Sequence, residues 1–304
     1  MTESFCRAGD VELCYETFGD PENPPLLLVM GLGTQMLGWN DDFCAALAAR
    51  GFHVIRFDNR DIGRSTIFKG SPPPTTGQIL RRDRRAAAYT LIDMAADAIG
   101  LLDHLGVGRA HVVGASMGGM IAQTIAIRHP ERVLSLVSIM SNTGSRLSGQ
   151  PSPRVYPLFL RPAPRGREAY VQQVTELFRR IGSPGFEHDW DYLRDMLGRS
   201  FDRGHDPGSS GRQLAAVLAS GDRTKDLRRV TAPTLVIHGT DDKLVAPSGG
   251  RATARAIPGA RLLLINGMGH DLPRGAWPPI IDAIANNAAR AGAPAGAPQP
   301  ATSG

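Results

Sequence analysis

Residues 111–120 read His-Val-Val-Gly-Ala-Ser-Met-Gly-Gly-Met. Strand formers stop at Gly114, small residues carry Ser116, and apolar residues at helical spacing begin at Met117. The pattern Gly114-x-Ser116-x-Gly118 fits a buried strand running straight into a helix, with Ser116 on the sharp turn between them. Such a turn forces the serine into a strained backbone conformation. Glycines two residues to either side are needed because a Cβ there would collide with the neighbouring strand and helix. The hydroxyl is thereby pushed out above the sheet. A Gly-rich connection with an incidental serine is the competing reading, and the rest of the chain bears on it.

The rhythm on both sides is strand, helix, strand. Val11–Thr17 alternates like a strand, Leu26–Met30 is a continuous apolar run suited to a strand buried on both faces, and His53–Phe57 is another. Helices are expected over Asp41–Arg50, from Thr90 to Leu105 with Gly106 as its stop, and over Met117–Arg128. Val133–Met140, Pro233–His238 and Arg261–Ile265 supply further strands, with helices over 248–256 and Trp277–Arg290. Short connections in this alternation imply an α/β fold with a mostly parallel, doubly wound sheet. Catalytic groups should then lie at the carboxyl ends of the strands. The rhythm breaks at 145–229, where Pro-rich segments alternate with helical stretches such as Arg167–Ile181 and Gln213–Ser220. We read a core of residues 1–144 and 230–290 and a helical cap insertion of 145–229. The last residues, 291–304, contain nothing that could form a core and should be a disordered tail.

Composition limits the partners. The net charge of +5 comes from a chain with 31 Arg and 3 Lys, an excess too small and too dispersed to favour nucleic acid, and no zinc-finger or RNA-binding motif accompanies it. The one dense basic run, Arg81–Arg85, reads as a solvated face, with contact to an anionic lipid surface the lesser alternative. Cys6, Cys14 and Cys44 are odd in number and lack CxxC spacing, which argues against a disulfide framework and a zinc site. The first residues carry charges rather than an apolar core, and no apolar stretch approaches a membrane span, so a cytoplasmic location is expected.

A serine hydroxyl becomes a nucleophile when a base takes its proton, and the base needs a third group to fix its tautomer and stabilise its charged form. His270 and Asp242 are placed to supply both. Each follows a strand, and both strands follow Ser116, giving the order Ser, Asp, His. Asp241 is a rival to Asp242, but neighbouring loop residues cannot both reach one imidazole. Among other histidines, His111 precedes the elbow strand's core and should point away, His238 reads as packed, and His104 as surface. The loop Gly31-Leu32-Gly33-Thr34 is flexible enough at Gly31 and Gly33 to bring backbone N–H groups to a ligand, as half of an oxyanion hole or as an ordinary turn. Asp58 and Arg60 read as ties within a strand-end turn.

These motifs, with Leu37-Gly38-Trp39-Asn40 and Asp58-Asn59-Arg60-Asp61, resemble those of the serine-type α/β-hydrolases, and more narrowly the actinobacterial lipase/esterases and aclacinomycin methylesterases. The resemblance runs from Val11 to about Arg290, outside the cap. It implies Ser116 as nucleophile, His270 as general base, Asp242 as the acid, and the N–H groups of Leu32 and Met117 as the oxyanion hole, with no metal or organic cofactor. Met30 stands where many relatives have His, so the loop's supporting hydrogen bonds must differ. The expected activity is hydrolysis of a lipophilic acyl or methyl ester through a Ser116 acyl-enzyme. A thioesterase, a C–C bond hydrolase and a ligand-binding signalling protein are the alternatives. The substrate is expected to meet Gly31 and Gly33 and a cap lined by Phe186, Trp190, Leu193, Met196 and the segment Pro151 to Pro164.

Overall fold

The computed structural model describes residues 2–155, 157, 164 and 166–292. Half of the expected Pro151–Pro164 lining and nearly all of the 291–304 tail lie outside the described residues. Among the described residues, eight strands form one sheet: β1 (Ser4–Ala8), β2 (Val11–Phe18), β3 (Pro25–Val29), β4 (His53–Phe57), β5 (Ala110–Ala115), β6 (Val133–Ile139), β7 (Thr234–Gly239) and β8 (Arg261–Ile265). Their order is β1-β2-β4-β3-β5-β6-β7-β8. Pairing is antiparallel for β1 with β2 and β2 with β4, and parallel across the remaining five contacts. The short edge strand β1, with only Cys6 and Ala8 turned inward, had no apolar run to announce it.

Side chains alternate across a strand, so a strand covered on both faces must be apolar throughout. In β3, Leu27 and Val29 enter one core while Leu26 and Leu28 enter the other. On the first face lie α3 (Leu91–His104) and α4 (Met117–Arg128), and on the second α1 (Asp41–Ala48) and the closing helix, α10 (Trp277–Ala289). A reciprocal capping box fixes the start of α3: the Thr90 N–H donates to Asp93 at 2.7 Å, and the Thr90 side chain accepts from the helix's first turn.

Between β6 and β7 stand α5 (Arg167–Ile181), α6 (Trp190–Arg203), α7 (Ser209–Ser220) and the single turn α8 (Thr224–Leu227), while α2 (Thr76–Arg81) precedes α3 and α9 (Pro247–Ala256) follows β7. The Gln213–Ser220 helix thus begins four residues earlier than its apolar pattern suggested. Met196 and Leu197 of α6 pack on Leu37, with Tyr170, Val171 and Val174 of α5 against the same cluster. Arginines tie this segment to the core. Arg203 donates to Asp58 at 2.9 Å, and Arg212 grips Asp61 with two bonds of 2.7 Å. The Arg-rich composition is therefore not purely a surface property: Arg56, Arg212 and Arg223 are buried. The basic run Arg81–Arg85 is mostly exposed.

Candidate active site

Ser116 has φ 55° and ψ −119°, outside the regions open to an unstrained L-residue. The turn is over-determined by its neighbours. A Cβ on Gly114 would come within 2.1 Å of the Gly118 carbonyl oxygen, and one on Gly118 within 2.0 Å of the Val29 carbonyl oxygen. Glycine is thus the only residue that lets β3, β5 and α4 approach this closely. The Ser116 N–H donates to the Ile139 carbonyl at 2.9 Å, anchoring the elbow to β6.

The side chains of Ser116, His270 and Asp242 meet although they come from three separate loops. The Ser116 hydroxyl lies 3.0 Å from His270 Nε2, and His270 Nδ1 lies 2.8 Å from Asp242 Oδ2. The nitrogen facing a carboxylate carries the proton, which leaves Nε2 free to accept from the hydroxyl. Asp242 Oδ1 accepts from the N–H groups of Leu244 at 2.9 Å and Val245 at 2.8 Å. Burial alone would push this carboxyl's pKa up, but the imidazoles of His270 and His238 outweigh it and hold the group well below the usual carboxylate range. Asp241 is exposed and accepts from its neighbour Thr240 instead.

His238 is fully buried, as its sequence position implied, and is more than packing. Its Nε2 donates to the Val245 carbonyl at 2.8 Å and lies 3.4 Å from Asp242 Oδ2. His111 sits at the opposite end of β5 from Ser116, against Ser135, and His104 is exposed at the end of α3.

The loop after β3 lies against the elbow, where a Cβ on Gly31 would be 3.2 Å from Ser116 Cβ. Thr34 N–H closes a turn onto the Gly31 carbonyl at 3.4 Å, and Gly33 takes φ +69°. With Met30 in place of a histidine, support comes from elsewhere: Asn59 donates to the Met30 carbonyl at 2.9 Å, and the Gly33 N–H donates to Gln213 Oε1 at 2.8 Å. Met117 is the first residue of α4, so its N–H has no partner in the helix's own ladder.

The insertion also holds the loop that carries His270. The His270 N–H donates to the Ile181 carbonyl at 2.7 Å, the Gly269 N–H donates to Ser183 Oγ at 2.8 Å, and Ser183 Oγ donates to Asp271. Trp190 is not brought to Ser116 by any of these contacts. Its ring stacks on His188 with Arg179 above it, both on the insertion, and Phe186 packs near Gly275. Sequence reasoning passed over Gln213, Ser183 and the Ile181 carbonyl. Each acts through the backbone of a distant loop, and no local motif marks such a contact. Among the described residues, no group of three or more His, Cys, Asp or Glu is arranged to hold a metal ion, and no helix is long and apolar enough to cross a membrane.

A family model described as the alpha/beta hydrolase fold matches residues 24–182. The chain belongs to the α/β-hydrolase family. Residues 203–274 match a second model, described as serine aminopeptidase, S33. Rhodomycin D methylesterase of Streptomyces sp. strain C5 is 31% identical over 93% of this chain and 97% of its own length. The rhodomycin D methylesterase of Streptomyces peucetius is 32% identical over 90% of the chain and 94% of its own. Among solved structures, a hydrolase from Pseudomonas aeruginosa superposes with a TM-score of 0.69 at 27% identity, covering 96% of this chain and 98% of that one.

Proposed function

We propose that this α/β-hydrolase cleaves a carboxylic ester through an acyl-enzyme on Ser116. The observation that carries the reading is the hydrogen-bonded chain from Ser116 Oγ through His270 to Asp242, on a strained elbow beside the Gly31–Thr34 loop. His270 Nε2 takes the hydroxyl proton as Ser116 Oγ attacks the ester carbonyl carbon. The N–H groups of Leu32 and Met117 receive the negative charge that develops on the carbonyl oxygen. Collapse of the tetrahedral intermediate breaks the bond to the alkoxy oxygen, which leaves as the alcohol with the proton from His270. Water, deprotonated by the same imidazole, then attacks the acyl carbon and frees the acid and Ser116. Asp242 keeps the imidazole in the working tautomer and stabilises its charged form.

The ester is proposed to be uncharged and lipophilic, a methyl ester of a bulky acid or an ester with an extended acyl chain. One support favours this: two curated relatives, each matching 90% or more of the chain, are methylesterases. We read residues 145–229 as a cap over this site.

The test is steady-state kinetics on esters of graded acyl length, with a bulky aromatic methyl ester alongside. Ser116→Ala should lower kcat by about 10⁴ to 10⁶ with the fold intact. Undiminished turnover in that variant would remove the acyl-enzyme. kcat/KM should rise as the acyl chain lengthens, with about 0.8 kcal/mol available per buried CH₂. A flat or falling profile, with no preference for the methyl ester, would point to a small polar substrate.

A further inference from the structure

The Gly31–Thr34 loop is held by a residue that lies 180 positions away. Gln213, fully buried on α7, accepts from the Gly33 N–H at 2.8 Å and donates through Nε2 to the Arg60 carbonyl at 3.0 Å. The Gly33 N–H and the Leu32 carbonyl belong to one rigid peptide plane. Gln213 holds that plane at its N–H end, and Thr34 Oγ1 donates to the Leu32 carbonyl at its other end, at 3.4 Å. The preceding plane, which carries the Leu32 N–H, is held at its carbonyl by the Thr34 N–H. In a trans peptide the N–H points opposite to the C=O, so these bonds together set where the Leu32 N–H aims.

Close packing reinforces the contact. A Cβ on Gly33 would come within 2.6 Å of Ser210 Oγ, so α7 lies directly on the loop. The helix is itself fixed by Arg212, whose guanidinium grips buried Asp61 and also pairs with Asp206 at 2.7 Å. Arg60, whose carbonyl takes the other end of Gln213, immediately precedes Asp61. Gln213 therefore joins the loop after β3 to the turn after β4 through a helix that is anchored on that same turn.

We propose that Gln213 is a positioning residue for the oxyanion hole: the insertion, through this one amide, sets the direction of the Leu32 N–H that the loop offers to the reaction. This rests on the reading of Leu32 as an oxyanion donor. The residue touches no reacting atom, and its effect is confined to the stage at which the carbonyl oxygen becomes charged. Loss of an oxyanion donor costs about 10² to 10³ in kcat, and loss of its aim should cost less.

The test compares wild type with Gln213→Met, which keeps the side-chain length but loses both bonds. Active-site concentration is fixed by titration with a fluorophosphonate, so that misfolded protein is not counted. Two readouts are taken: kcat and KM on one ester, and inhibition by butylboronic acid, which adds to a serine oxygen as a tetrahedral anion and so reports on the hole directly. The expected result is a fall of about 10- to 100-fold in kcat with little change in KM, and a weakening of boronate inhibition by the same factor. A residue that only docks the insertion would lower the melting temperature and leave both quantities per active site at the wild-type value. That outcome, or a change confined to KM, overturns the proposal and leaves the esterase reading standing. A wild-type enzyme that hydrolyses no ester and ignores the boronic acid removes the reading of the site, and this proposal with it. Should Gln213→Met yield no folded protein, the same two measurements on Gln213→Asn decide in the same way, since its amide is one methylene short of spanning the two loops.

Discussion

Asp242 and His270 meet at 2.8 Å across 28 residues of chain, each at the carboxyl end of one of two neighbouring parallel strands, β7 and β8. The register of that pair decides which of two adjacent carboxylates faces the imidazole. Because Asp242 Oδ1 is occupied by two backbone N–H groups, Oδ2 is left for the ring. Asp242→Asn should lower kcat by about 10⁴, through the wrong tautomer of His270. Asp241→Asn, at an exposed side chain, should leave kcat near wild type. Steady-state kinetics of the two variants checks this, and the reverse ranking would mean that the working carboxylate is not the one seen against the ring.

The elbow glycines separate steric need from ordinary turn preference. Gly118→Ala should abolish the native fold or cost more than about 3 kcal/mol, since the new Cβ meets backbone atoms of Val29 on a central strand that cannot yield. Gly108→Ala, where nothing lies within 4 Å of the added carbon, should stay within about 1 kcal/mol of wild type. Urea denaturation of both gives the contrast directly.

Gly114, Gly118 and the Ser-Asp-His order could be read from the sequence, because the elbow writes its steric need into five consecutive residues and strand ends gather functional groups at one face. The helix α6 was less legible. Trp190, Leu193 and Met196 were visible as apolar positions, but Asp, Arg and Tyr between them, and the Gly198 within, diluted the pattern. Least legible were the ties between insertion and core. Arg203 and Arg212 look like solvated charges in the sequence, and their partners Asp58 and Asp61 lie 145 and 151 residues away. Asp58 was expected to tie down its own turn. It does so through the N–H of Arg64, and it also accepts from the distant N–H of Met36 and anchors a helix that no local pattern could have named.

Arg212→Met should destabilise the protein by about 3 to 5 kcal/mol, because Asp61 is fully buried and would lose its charged partner. Adding Asp61→Asn to that variant should recover part of the loss. The backbone at position 61, with φ 70°, suits Asn, and the uncompensated charge is gone. Chemical denaturation of the single and double variants tests this. A double variant no more stable than Arg212→Met would assign the whole loss to packing.

His111 supplies a pH signature remote from the reaction. Burial pushes its pKa down to about 4 from 6.5. Between those values the unfolded chain binds a proton that the folded protein refuses, so stability rises with pH across this window and is lost as pH falls through it. The loss attributable to His111 should reach about 3 kcal/mol at the acid end. His111→Gln should flatten the curve of unfolding free energy against pH between 6.5 and 4. A wild-type slope in that variant would assign the titration to another group.

The insertion between β6 and β7 reaches the loops after β3, β4 and β8 through Gln213, Arg203 and Arg212, and the Ile181 carbonyl, respectively. This limits how far substrate scope can be altered by exchanging that segment as a module. A graft from a relative would have to bring its own amide for Gly33, its own cations for Asp58 and Asp61, and its own carbonyl for the His270 N–H. Without them the transplanted helices would arrive with a new surface and leave the loops of the site untied. Changes confined to side chains that make none of these ties leave the scaffold of the reaction untouched, and libraries aimed at new esters belong there.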